Sequence, residues 1–248
     1  MKIVFTFLLI FSLSLFGGDF VDNGFEDEFE KELVSKPSAT EVFDPLVHYN
    51  RFMTDVNDML MINVVEPVTD GYRYVVPQVA RKSIYNLFEN LYYPVSVTNN
   101  LLQLKFNYSF TETIRFLANS TLGILGLFDV ADEWFGIKPH KEDFGQTLGY
   151  YGVGSGFPIV MPFFGQYNIR DFFGNITDNY FNPTYHASLK INDAMVSYTV
   201  YTIVRGYKEV NEYSLSDTSY EDITKGSFDL YPFIRDAYEQ NRNKLIEE

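Results

Sequence analysis

The stretch that decides the fold is HKEDFGQTLGYYGVGSGFPIVMPFFGQYNIRDFFG, residues 140–174. Glycines at 145, 149, 152, 154 and 156 alternate with aromatics, and Pro158 and Pro162 stiffen the segment that follows. A dinucleotide loop needs G-x-G-x-x-G between a buried strand and a helix, and a phosphate loop needs Gly-Lys-Ser/Thr; Gly152 to Gly156 supplies neither. Ser155 lacks the glycines two residues to either side that a hydrolase elbow requires, and Asp143-Phe144-Gly145 stands without the other kinase motifs. What remains is backbone chemistry. Pieces around 146–151 and 158–163 are predicted as short strands of a hairpin across the glycines. A bare loop with apolar flanks suits a lid or rim beside an apolar passage, and an ordinary packed hairpin fits the spacing equally well.

Outward from this run the pattern is helical. Asp44-Pro45 opens a helix on which Leu46, Tyr49, Phe52, Met53, Val56, Met59 and Leu60 recur at three- and four-residue steps, ending near Glu66-Pro67. Pro77 starts a second, with Val79, Ala80, Ile84, Leu87, Phe88 and Leu91 on one face, predicted to stop before Pro94. Ser109-x-x-Glu112 reads as a capping box before a third. Residues 194–207 and a segment after Asp229, bearing Phe233, Ile234, Ala237 and Tyr238, complete the helical set.

The ends read differently. Lys2, then the fourteen-residue, mostly apolar stretch Ile3–Phe16, form an export signal over residues 1–17, with an uncleaved N-terminal anchor as the alternative. Residues 18–43 read as an acidic flexible spacer, 44–242 as one domain, and 243–248 as a frayed polar tail.

Composition narrows function. The 248 residues carry a net charge of −14, which excludes the basic footprint of a nucleic-acid binder. Their 24 Phe and 19 Tyr exceed what one buried stripe holds, so part of this aromatic surface faces a partner or a membrane. There is no cysteine. His48, His140 and His186 show no metal-ligand spacing; His140 beside Glu142 or Asp143 reads as a hydrogen-bonded loop histidine. Asp129 and Asp132 suit helix caps better than an acid–base pair, and no constellation carries catalysis.

His140, Asp143, Phe144, Gly145, Gly149, Tyr151, Gly152, Gly154, Gly156, Pro158, Pro162, Gly165, Arg170 and Asp171, with Asp44-Pro45-Leu46 and Glu66-Pro67-Val68 upstream, resemble the MlaA (VacJ) family. The likeness runs from about Asp44 to Arg242. It implies a mainly α fold, a ring of amphipathic helices around a central channel, with the glycine-rich hairpin beside it. It further implies a protein without cofactor or catalysis on the periplasmic side of the outer membrane, in its inner leaflet. There it would take mislaid phospholipid from the outer leaflet and pass it to a periplasmic carrier protein, with a porin trimer as partner. A non-conducting porin-associated scaffold or lipid-binding module is the alternative, and a phospholipase a second. Family members usually carry a lipidated cysteine where Gly18 stands after Leu15-Phe16-Gly17, so retention here is expected without an acyl anchor.

Overall fold

The computed structural model describes residues 42–189 and 194–248; the export-signal and most of the spacer readings lie outside them. The described chain is mainly helical. In order it runs α1 (Val47–Leu60), a π-helical turn (Met61–Val65), α2 (Glu66–Val75), α3 (Gln78–Leu102), α4 (Phe106–Thr121) and α5 (Val130–Phe135). There follow α6 (Phe144–Tyr150), β1 (Pro158–Met161), β2 (Gly165–Asn168), α7 (Ile169–Asp178), α8 (Pro183–Leu189), α9 (Ala194–Tyr213), α10 (Tyr220–Thr224) and α11 (Leu230–Glu247).

Several boundaries depart from the sequence reading. Glu66-Pro67 does not end the first helix, because the wide π turn carries the chain into α2 and Pro67 falls in α2's first turn, where no intrahelical N–H is needed. Pro94 lies inside α3. The helix survives it because α3 packs along α4, with Asn90 Nδ2 donating to Ser120 Oγ 2.9 Å away. The Ser109-Glu112 box is absent: α4 begins at Phe106 and buries both residues, and Glu112 Oε1 accepts from the His140 N–H instead. Residues 146–151 form no strand. Asp143 caps α6 through a reciprocal box with Gln146, so the hairpin pairs Pro158–Met161 with Gly165–Asn168, antiparallel, across Pro162, Phe163 and Phe164. The last helix continues to Glu247 in place of a frayed tail.

On α1 and α4 the usual burial is reversed, with polar side chains inside and apolar ones outside. On α4 the buried positions are Ser109, Glu112, Arg115 and Asn119, a polar stripe at helical spacing, while Phe106, Phe110 and Leu117 face outward. On α1 Asn50 and Thr54 are buried, and Phe52 and Met59 are more than half exposed. Gln103, Asn50, Asn99, Asn100 and Asn168 are among the largest fully buried side chains, with Val95 the one large aliphatic in that group. Such burial requires nearly complete pairing. Most of it comes from side-chain bonds such as Asn100 Nδ2 and Ser96 Oγ to the His140 carbonyl, both at 2.9 Å, while a few buried atoms, Asn100 Oδ1 and Asn175 Oδ1 among them, have no hydrogen-bond partner.

Candidate functional site

The segment chosen from the sequence is pinned at both ends and bare in the middle. Asp143, at the N-cap of α6, meets Arg242 of α11 in a two-pronged ion pair, Oδ2–Nη1 at 2.6 Å and Oδ1–Nη2 at 2.8 Å. Arg242 Nε also lies 2.9 Å from Asp171 Oδ2, an ion-pair contact without a hydrogen bond's alignment. Asp171 further accepts from Arg170 Nε (2.8 Å) and Tyr238 Oη (3.0 Å). Burial opposes the charge on Asp171, but Arg242 and Arg170 outweigh it and hold the carboxyl below the usual range.

Glycine makes this lock possible. A Cβ at Gly145 would stand 2.5 Å from Asp171 Oδ1 and 2.8 Å from Arg242 Nη2. At Gly174 it would strike the Gly145 backbone nitrogen at 2.5 Å, so α6 and α7 touch main chain to main chain. Gly149 lies against Ile246 and Arg170. Gly152 and Gly154 instead face open space, beside exposed Tyr150, Tyr151 and Val153. Gly156, at φ +77°, rests on Ile169; Phe144, Pro158, Pro162 and Gly165 frame the capped helix and the hairpin.

His140 stands apart from the lock. Its ring stacks on Tyr108 with centroids 3.9 Å apart, and its backbone is bonded on both sides by Glu112, Ser96 and Asn100. Burial, then the nearby Arg115 and Lys105, lower its pKa. The apolar stripe of α1 faces largely outward: Phe52 and Met59 are exposed, Tyr49 less so, and Leu46, Met53, Val56 and Leu60 are half-buried.

A cavity of about 100 Å³ lies between α3, α7, α8, α9 and α11. Its lining combines apolar side chains, Phe88, Leu91 and Val204, with the carboxylates Asp143, Asp171 and Asp178. Of the residues singled out in the sequence, Asp143 and Asp171 line it, while the glycines from 145 to 156 do not. Sequence reading missed Asp178, Tyr238 and Arg242 as site residues. The legible signal was the Tyr238 and Arg242 pair, four positions apart and so on one face of the last helix. Asp178 Oδ1 accepts from Asn99 Nδ2 at 2.9 Å, and its Oδ2 from the Phe144 N–H at 3.0 Å. Burial, then the like charge of Asp143, push this carboxyl up to about 7.

Buried polar stripes, exposed aromatics and a cavity lined by both apolar and acidic side chains mark this helical fold. The comparisons agree in fold and family. The family model described as MlaA lipoprotein matches residues 42–245. An uncharacterized protein of Rickettsia bellii is 33% identical over 208 residues, spanning 84% of this chain and 78% of that one. The intermembrane phospholipid transport system lipoprotein MlaA of Escherichia coli K12 is 36% identical over 143 residues, 56% of each chain. A solved structure reported under "Structural basis for maintenance of bacterial outer membrane lipid asymmetry" superposes with TM-score 0.68 at 29% identity, covering 82% of this chain and 99% of that one. The chain belongs to the MlaA lipoprotein family.

Proposed function

We propose that this protein serves intermembrane phospholipid transport, removing mislocalised phospholipid from the outer leaflet of the outer membrane and passing it to a periplasmic carrier. The observation that carries the reading is the reversed burial: polar side chains inside, and aromatics such as Phe110, Trp134, Phe135 and Phe173 outside. Surface of that kind is stable only when covered. Among the described residues no helix is long and apolar enough to cross a membrane, which fits a ring seated in one leaflet. The apolar exterior then contributes to retention at the membrane, and a porin trimer is the natural lateral partner.

The mixed lining of the cavity suits the physics of the cargo. A headgroup resists hydrocarbon because it loses hydration, and acyl tails resist water at about 0.8 kcal/mol per CH₂. A path with one polar and one apolar wall lowers both barriers, with no covalent step and no ATP at this component. Gly152 and Gly154, which face open space, supply an exposed rim in this reading. Deleting the gene and assaying surface-exposed phospholipid and detergent sensitivity tests the reading; unchanged outer-leaflet phospholipid in the deletion strain would sink it.

One observation favours a second reading. The cavity, at about 100 Å³, holds a few waters or one small polar group and far less than two acyl chains. A non-conducting scaffold fits that closed size. Cross-linking of photoactivatable phospholipid to cavity residues Leu91 or Val204 separates the two, since a scaffold leaves them unlabelled.

A further inference from the structure

The cavity's α7 wall carries two groups with unmet electrostatic demand. Asp178 is 6% exposed and its carboxylate receives only neutral donors, Asn99 Nδ2 and the Phe144 N–H. One turn earlier, Asn175 Oδ1 is sealed from solvent with no hydrogen-bond partner. Both residues line the cavity. The neighbouring amide, Asn179, is already engaged, its Oδ1 accepting from Tyr201 Oη at 2.8 Å.

The charges facing Asp178 do not neutralise it. Arg242 of α11 is committed to Asp143 and Asp171, the other carboxylates on this wall. Across the cavity, α9 contributes Arg205 and Lys208, together with Glu209. Arg205 donates to Tyr201 Oη, and Lys208 pairs with Glu212. The two walls therefore differ in sign, acidic on α7 and largely basic on α9. A lone carboxylate beside a bare amide oxygen suits a compact cation with several N–H donors. Among the described residues no three His, Asp or Glu side chains are placed to hold a metal ion.

We propose that Asp178 and Asn175 form a subsite for a primary ammonium, the head of a zwitterionic phosphoethanolamine lipid, with its phosphate toward the basic α9 wall. The assignment rests on the lipid-transport reading above and adds a headgroup preference to it. An ammonium donates to both acceptors and supplies the charge that Asp178 lacks. A phosphoglycerol headgroup brings no cation, and a quaternary choline has no N–H to give.

The test uses the full chain in mixed detergent micelles containing equal phosphatidylethanolamine, phosphatidylglycerol and phosphatidylcholine, with bound lipid quantified by mass spectrometry. The unaltered protein is expected to enrich phosphatidylethanolamine roughly fivefold over each competitor, the scale of one net hydrogen bond. Asp178→Asn keeps an oxygen for the Phe144 N–H while removing the charge, and should bring the ratio close to that supplied. Asn175→Leu removes the second acceptor without touching the α6 cap, and decides the matter should Asp178→Asn not fold. Lipid bound at the supplied ratio, or a preference that survives both substitutions, overturns the subsite and leaves lipid transport standing. Absence of any bound lipid in the unaltered protein counts against the transport reading itself, and the subsite falls with it.

Discussion

Asn50 and Asn57, seven positions apart on α1, grip the hairpin as a third strand would. Asn50 Oδ1 accepts from the Val160 N–H at 2.9 Å, and its Nδ2 donates to the Pro158 carbonyl at 3.0 Å. Two turns on, Asn57 Nδ2 donates to the Met161 carbonyl at 2.9 Å, and its Oδ1 accepts from the Phe163 N–H at 2.5 Å. A two-stranded ribbon is marginal alone, and here helix side chains complete one of its edges.

Replacing Asn50 with Leu should therefore be costly out of proportion to its size. The change strands a buried N–H and a buried carbonyl, each worth about 1–3 kcal/mol when left unpaired. We expect a loss of about 3 kcal/mol or more in denaturant titration of the detergent-solubilised protein. Asn57, only partly buried, should cost less. Equal midpoints for Asn50→Leu and the parent would refute the ladder's role.

The Asp143–Arg242 pair predicts a graded series. Arg242→Met leaves Asp143 without its cation and Asp171 with Arg170 alone, a loss of about 3–5 kcal/mol for a buried charge. Arg242→Lys keeps the charge but not the two-pronged geometry, and should fall between. Pairing Arg242→Met with Asp143→Asn should recover part of the loss, read as a non-additive double-mutant cycle.

Glycines in the same run should separate sharply. Gly174→Ala forces α6 and α7 apart at backbone contact, and Gly145→Ala intrudes on the Asp171–Arg242 pair, so both should abolish complementation of a deletion strain. Gly154→Ala meets open space without a positive φ and should be silent. Gly152→Ala, also in open space but at φ +82°, should cost about 1 kcal/mol. Thermal shifts and complementation of the four variants test this order.

Asp178 and Asp171 should respond to pH with opposite signs. Asp178 is raised to about 7 in the folded protein, so between the ordinary aspartate range and about 7 the native state binds the extra proton and stability falls as pH rises. Asp178→Asn should gain stability over the parent above about pH 7, with the gap closing toward about pH 4. Asp171 is lowered, so its contribution is present above the ordinary range and lost as pH falls through its folded value. Melting curves across that range check both; a gap for Asp178→Asn that widens in acid would contradict the assignment.

Helix content and the importance of the 140–174 run were legible from periodicity and glycine spacing, because both are local. The errors share a cause. Asp143-x-x-Gln146 is a capping box as plain as the one assigned to Ser109-x-x-Glu112, and only tertiary contact separates them. Glu112 is drawn inward by the His140 N–H, while Asp143 is held at a helix start by Arg242. Pro94 reads as a stop in isolation and is carried through by the packing of α3 on α4. Asp178 went unseen because its partners lie 34 and 79 positions away. The polar stripe of α4 was also present in the sequence, but periodicity alone does not say which face of a helix is inside.

Asn50 Nδ2 also reaches Tyr231 Oη, 3.2 Å away in space and 181 positions along the chain, beside Asp44. The first and last helices of the domain are thus fastened at one point. A chain threaded N-terminus first has no partner for this fastening until nearly all of it has emerged. Closure must follow the other contacts, at the loop-entropy cost of a very distant pairing. Until then the aromatic exterior and the polar interior are both exposed to water, which makes the interval before Tyr231 docks the one in which aggregation competes most with folding.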